Sequence, residues 1–223
     1  MSRDAHRSPV QPAQHQTRGR SGPAAHVDFT LYVLTDRRYT GDNPAPAVEA
    51  AIRGGATLVQ LREKGVTTRE ALRAGEAVLE VCRRWNVPLI INDRVDLMLA
   101  LDADGVHLGP DDMPLAKARE IIGPHKIIGA SAGTPEEARR AWEDGADYLG
   151  IGAVYATGSK DDAGEPIGVQ GFIRVRQAAP LLPAVAIAGI NESNAAALME
   201  AGADGVAVIS AVFATGDPEQ AAR

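Results

Sequence analysis

The stretch Leu89–Met113 carries residues whose types and spacing could do chemistry. It reads as strand, short helix, strand. Leu89, Ile90 and Ile91 run into Asn92-Asp93, Val95 to Leu101 has helical spacing, and Gly105 to Leu108 ends in Gly-Pro-Asp-Asp. Near-continuous apolar strands suit a parallel sheet covered on both faces. Asp93 and Asp112 then sit just past the C-terminal ends of two consecutive strands, which lie about 4.8 Å apart when paired. Two carboxylates leaning over one point, with room for waters and phosphate oxygens, suit Mg²⁺. The plainer reading is that Asp93 caps the following helix and Asp111-Asp112 makes a turn.

Other segments end in groups that suit a phosphorylated ligand. Leu58 to Leu61 continues into Arg62-Glu63-Lys64, and alternation puts Gln60, Arg62 and Lys64 on one side and Glu63 on the other. An amide, a guanidinium and an ammonium together make an oxyanion clamp, unless they are only a surface charge cluster. Ser131 follows the apolar Ile127 to Gly129. Tyr148 to Gly152 leads into Thr157-Gly158-Ser159-Lys160, a loop whose hydroxyls and lysine suit a phosphate, although the pattern also occurs in ordinary turns. Gly189, with Ser193 as the following helix N-cap, and Ile209-Ser210 form a second candidate phosphate site.

The elements that must position these groups alternate. Apolar segments at 31–34, 58–61, 89–91, 105–108, 127–129, 148–152, 185–188 and 206–209 are separated mostly by helical patterns at 45–53, 69–85, 115–121, 135–143, 172–179 and 193–200. Strand–helix alternation implies right-handed βαβ units and a parallel sheet. A weak repeat agrees. Gly54-Gly55-Ala56-Thr57-Leu58, Gly145-Ala146-Asp147-Tyr148-Leu149 and Gly202-Ala203-Asp204-Gly205-Val206 each join a helix to a strand, with Ala103-Asp104-Gly105-Val106 as a reduced copy. Glycine past the last helical turn supplies a left-handed cap. Eight such units predict an α/β fold, a (β/α)₈ TIM barrel with its active face at the C-terminal strand ends. A doubly wound open sheet competes, but no Gly-rich nucleotide turn follows the first strand. After the last strand only Ala211 to Arg223 remain, so the eighth helix is short, leaving barrel wall open or for a subunit partner to cover. A homo-oligomer is therefore one option.

Composition narrows the function class. The expected organisation is a disordered tail at 1–26 and a single barrel domain at 27–223. The tail carries four arginines against one aspartate, net +3, so with −6 overall the remainder is −9. An acidic body argues against a nucleic-acid partner. The one cysteine, Cys82, allows no internal disulfide and fits the cytoplasm. No apolar run approaches the roughly 18 residues of a membrane span, and no secretory signal is expected.

Read together, these residues resemble the thiamine phosphate synthase (thiamine-phosphate pyrophosphorylase) family. The matching stretches are VQLREK (Val59 to Lys64), LIINDRVDLMLALDADGVHLGPDD (Leu89 to Asp112), IIGAS (Ile127 to Ser131), DYLGIGAVYATGSK (Asp147 to Lys160), IAGI (Ile187 to Ile190) and GVAVISA (Gly205 to Ala211). They span effectively the whole expected barrel. The resemblance implies an enzyme that joins two phosphorylated heterocycles. The nitrogen of hydroxyethylthiazole phosphate attacks the exocyclic methylene of hydroxymethylpyrimidine diphosphate, with dissociative loss of Mg²⁺-bound pyrophosphate. It implies Asp93 and Asp112 as Mg²⁺ ligands. Gln60, Arg62, Lys64, Asn92, Ser131 and Lys160 would contact the pyrimidine diphosphate, with Leu61 and Glu63 in the same stretch. Of these, Arg62, Lys64, Ser131 and Lys160 are the catalytic candidates. Thr157, Gly158, Ser159, Gly189, Ile209 and Ser210 would cradle the thiazole phosphate.

Several positions depart from the family pattern. Pro110 stands where Gln is common, Ala153 and Ala156 where Pro is usual, Ser159 where Thr is commoner, and Ala188 in a usual Gly-Gly pair. None removes a metal ligand or a cation. Two alternatives are a related barrel that isomerises the thiazole phosphate, which needs a general base rather than the clamp and the acid pair, and a non-catalytic barrel that binds a phosphorylated metabolite. His107, inside a strand segment, reads as structural.

Overall fold

In a computed structural model, the described residues are 22–158 and 165–223. The first half of the chain runs β1 (Leu31–Leu34), α1 (Arg37–Thr40), α2 (Ala45–Gly54), β2 (Leu58–Leu61), α3 (Thr68–Trp85), β3 (Leu89–Asn92), α4 (Val95–Leu101) and β4 (Gly105–Leu108). The second half runs α5 (Leu115–Ile122), β5 (Ile127–Ala132), α6 (Pro135–Glu143), β6 (Tyr148–Ile151) and α7 (Gly168–Ala178). It ends with β7 (Ala184–Ile187), α8 (Ala195–Glu200), β8 (Gly205–Val208), α9 (Ser210–Phe213) and α10 (Pro218–Ala222). The eight strands pair in parallel, each with its sequence neighbours, and β8 closes on β1. The fold is the expected (β/α)₈ barrel.

Period-two alternation sorts the strand residues into two cores. Val33, Val59, Leu61, Ile91, Val106, Ile128, Leu149 and Ala186 point outward and bury against the helices. Tyr32, Leu58, Ile90, Ile127, Tyr148, Val185 and Ala207 point inward and fill the barrel with Phe29 and Ala24 at its base. Residues on both faces are buried, which is why the strands read as nearly unbroken apolar runs.

The four-fold repeat has a structural basis. Thr57, Asp104, Asp147 and Asp204 immediately precede the even strands β2, β4, β6 and β8. Thr57 Oγ1 accepts from the Leu31 N–H at 3.0 Å; one carboxylate oxygen each of Asp104, Asp147 and Asp204 accepts from Leu89, Ile128 and Ala184 at 2.8 Å. Each even strand is thus tied at its start to the odd strand before it. Gly55, Gly145 and Gly202 take the positive φ that stops the preceding helix. In the reduced copy this role passes to Asp102 (φ 51°), while Gly105 lies inside β4.

Some expectations are corrected. Strand β5 continues to Ala132, because Ser131 and Ala132 keep their ladder partners Gly150 and Ile151. Helix α7 begins at Gly168 rather than Phe172, and α8 at Ala195 rather than Ser193. Residues 22–26, assigned above to the tail, form a turn with Ala24 buried at the barrel base, so the packed structure starts before residue 27. The rest of that tail, 1–21, lies outside the described residues. The eighth helix is replaced by α9 and α10, and the wall is covered. The Glu219 backbone of α10 lies so close to Gly54 of α2 that any Cβ there would collide with it, and Arg53 Nε meets Glu219 Oε2 at 2.9 Å. No described helix is long and apolar enough to cross a membrane.

Candidate active site

The C-terminal strand ends surround a cavity of about 530 Å³. Gln60, Arg62, Asn92, Ser131, Thr157, Gly158, Gly189, Ile209 and Ser210 all line it, although they come from six loops or strand ends. Barrel closure brings them together. Leu61 and Glu63 turn away from it. Leu61 is buried in the outer core, and the Glu63 side chain is buried beside Arg37, with burial pushing its carboxyl above the usual range. The alternation that puts Gln60 and Arg62 inward puts these two outward. Ser159 and Lys160 lie outside the described residues.

Lys64, Asp93 and Asp112 do not line the cavity themselves but follow β2, β3 and β4 close to the lining residues Arg62 and Asn92, and Lys64 Nζ stands 3.4 Å from Asp93 Oδ2. Asp93 has a positive φ of 62° and its N–H donates to the His107 carbonyl, so the backbone turns sharply where β3 meets β4. It does not cap α4; that position is Arg94, which makes no side-chain cap bond. Asp112 Oδ2 accepts from the Gly109 N–H at 2.7 Å, closing the turn after β4. The Asp112 carboxyl is pushed above its ordinary range, first by burial and then by the adjacent Asp93 carboxylate, against the pull of the Gly109 N–H. Two partly buried acids thus lie side by side, with Lys64 paired to one of them.

Arg62 is held from behind. Its Nη1 donates to Asp36 Oδ2 at 2.8 Å, and its backbone N–H donates to Thr35 Oγ1 at 2.9 Å. Burial alone pushes the Asp36 carboxyl up, but hydrogen bonds from Arg38 and the charges of Arg38 and Arg62 hold it below the usual carboxylate range. Arg38 also donates from Nη1 to the Gly158 carbonyl at 3.1 Å, joining α1 to the loop after β6. Asp36 and Arg38 were not picked out from sequence, although Asp36 caps α1 just past the end of β1.

The last two loops supply backbone rather than a helix cap. Ala188 and Gly189 take φ of 80° and 67°. Ser193 Oγ donates to Asn191 Oδ1 instead of capping α8, whose N-cap is Asn194. Ala188 therefore holds a left-handed conformation in which glycine is the natural residue.

Along the cavity floor, which Tyr32, Gln60, His107 and Ser131 line, runs a continuous chain of side-chain hydrogen bonds. Gln60 Nε2 donates to the Tyr32 hydroxyl at 2.6 Å, Tyr32 and Tyr148 hydroxyls meet at 2.9 Å, Tyr148 meets His107 Nδ1 at 2.9 Å, and His107 Nε2 meets Ser131 Oγ at 3.0 Å. Tyr32, His107 and Tyr148 carry no spacing signal in the sequence, because each sits within a strand and its partner is set by closure. Cys82 is buried, with its thiol pushed up to about 12, so it is no nucleophile.

Comparison with known proteins agrees with this geometry. The family model described as thiamine monophosphate synthase matches residues 31–212. A thiamine-phosphate synthase of Moorella thermoacetica is 50% identical over 196 residues, covering 87% of this chain and 93% of the relative. One of Chloroflexus aurantiacus is 52% identical over 198 residues, covering 88% and 91%. The solved structure of a thiamine phosphate pyrophosphorylase from Pyrococcus furiosus superposes with a TM-score of 0.80 at 42% identity, covering 88% of this chain and 93% of that one. With eight closed strands, the cavity at their C-terminal ends and identity near one half over almost the whole barrel, this chain belongs to the thiamine monophosphate synthase family.

Proposed function

We propose that this chain is a transferase that condenses hydroxymethylpyrimidine diphosphate with hydroxyethylthiazole phosphate, giving thiamine phosphate and pyrophosphate. The observation that carries the reading is the meeting of Asp93, Asp112 and Lys64 next to a cavity that their chain neighbours Arg62 and Asn92 line. The C–O bond to the diphosphate breaks and its electron pair leaves with the phosphate oxygen. The thiazole nitrogen lone pair then forms the C–N bond, and the positive charge ends on the thiazolium ring.

Asp93 and Asp112 would hold Mg²⁺. Among the described residues no group of three or more metal-ligating side chains exists, and two carboxylates suit an ion that keeps waters and substrate phosphate oxygens as its remaining ligands. When bound, Mg²⁺ neutralises charge on the leaving diphosphate. Arg62 and Lys64 supply further positive charge for the leaving group, with Asp36 fixing the guanidinium of Arg62. Lys160 joins them as a proposed diphosphate contact. Thr157, Gly158, Ser159, Gly189, Ile209 and Ser210 are proposed to receive the thiazole phosphate, whose size and charge suit a loop rich in hydroxyl and backbone donors. A single buried cysteine suits a cytoplasmic enzyme.

Mixing both substrates with Mg²⁺ tests the reading. Thiamine phosphate and pyrophosphate should appear one for one, and omitting either substrate or chelating the metal should stop both. An isomerised thiazole phosphate without pyrophosphate, or binding without turnover, would overturn it.

A further inference from the structure

The chain of hydrogen bonds along the cavity floor joins two groups on opposite sides of it, Gln60 on β2 and Ser131 on β5. We infer that Tyr32, Tyr148 and His107 are positioning residues that lock Gln60 and Ser131 into opposite hydrogen-bonding polarity, so that the cavity reads an amino-substituted ring. The inference rests on the reading above and goes beyond it by assigning a recognition role to three residues, of which Tyr32 and His107 line the cavity and Tyr148 lies behind it.

Proton bookkeeping along the chain gives the polarity. Gln60 Nε2 donates to the Tyr32 oxygen, so the Tyr32 O–H is left to donate to Tyr148. The Tyr148 O–H then donates to His107 Nδ1, which fixes the tautomer with its proton on Nε2. That proton goes to Ser131 Oγ, and the Ser131 hydroxyl proton is turned toward the cavity. At the other end Gln60 Oε1 is buried and has no partner among the described residues. A buried carbonyl oxygen without a donor is costly, and a ligand N–H would satisfy it. The cavity therefore presents an acceptor at Gln60 and a donor at Ser131. A 4-aminopyrimidine offers the complement across its ring, an amino donor at C4 for Gln60 and the opposite ring nitrogen N1 as acceptor for Ser131. The 4-oxo analogue loses the donor at the Gln60 end, since an oxo group accepts where an amino group donates.

The surroundings are built for this chain. Tyr148 fits over Gly129, where any Cβ would overlap its ring, and a Cβ at Gly150 would stand 3.0 Å from His107 Cε1. Two inward positions are thus kept bare for the rings. Both phenols are buried, and burial raises the pKa of each well above the ordinary range, so they stay protonated and able to relay. Reversing the polarity requires every member to turn together. Cutting the chain at one hydroxyl frees each end to turn alone.

The test compares the 4-amino and 4-oxo pyrimidine diphosphates as substrates for the full chain and for Tyr148→Phe, which keeps the ring and removes the link. Wild type should favour the amino substrate by kcat/KM, and Tyr148→Phe should shrink that ratio by about tenfold or more, as expected for removing one buried polar constraint. KM for the thiazole phosphate should stay within about twofold. A merely structural defect lowers both pyrimidine rates together and leaves the ratio alone, which would overturn the inference. Tyr32→Phe cuts the same chain one link nearer Gln60 and must give the same collapse, so the test stands even if Tyr148→Phe does not fold. If wild type turns over neither pyrimidine, the proposed reaction itself fails. If wild type turns over the amino substrate and neither variant changes the ratio, only the relay fails.

Discussion

Asp93 and Asp112 show why some site residues are legible in sequence and others are not. Both follow apolar strands directly, and the first residues past a parallel strand face the active end of a barrel. Gln60 and Arg62 are legible by alternation, as are the outward turns of Leu61 and Glu63 once the register is known. Tyr32, Tyr148 and His107 are not, because an aromatic or histidine within a strand fits a packed interior as well as a relay. Tyr32 and Tyr148 lie 116 positions apart in the chain. Asp36 is hidden for a different reason: its partner Arg62 is 26 residues away, and only closure of β1 on β2 brings them together. At this scale the acid pair makes the first prediction. Asp93→Asn and Asp112→Asn should each weaken Mg²⁺ binding and reduce turnover severely while circular dichroism is unchanged, since neither carboxylate buries against the core. Turnover within a few-fold of wild type in both variants would remove them from the metal site.

The elements were legible because their physics is local. Helix α3 opens with a capping box in which Thr67 Oγ1 accepts from the Glu70 N–H at 3.3 Å and Glu70 Oε2 accepts from the Thr67 N–H at 2.9 Å. Helix α6 repeats the device with Thr134 and Glu137. Strand ends were less legible, since Ser131 and Ala132 belong to β5 through partners on β6 rather than through their own propensity. The helix-to-strand repeat was visible, but its purpose was not. Its Asp or Thr reaches back to a strand roughly 20 residues earlier, which no local window contains. Asp147 also pairs with Arg119 Nη2 at 2.6 Å, so it ties α5 and β5 to the start of β6. Asp147→Ala should cost about 2–3 kcal/mol, the worth of a hydrogen bond to a charged acceptor. Thermal melting should fall by roughly 5–10 °C. A melting temperature within about a degree of wild type would show that the device is ornamental.

Across the whole molecule, the fold gathers positive charge where the chain as a whole is acidic. The net charge is −6, yet Arg38, Arg62 and Lys64 cluster at one end of the barrel, each against an acid. Paired cations of this kind are held in place before a ligand arrives, and a diphosphate can take over part of their pairing. Such charge speeds the chemical step only if its interactions strengthen as the C–O bond breaks. Lys64 is the cleanest probe, because it is half exposed and pairs with Asp93 rather than packing in the core. The decisive measurement is the single-turnover rate of Lys64→Ala at saturating Mg²⁺ and both substrates, which is blind to product release. The rate should fall by about 10²–10³, as for loss of one oxyanion-type donor, with KM for the pyrimidine diphosphate moving much less. A wild-type single-turnover rate with a raised KM would mean that the gathered charge only binds, and would contradict the account.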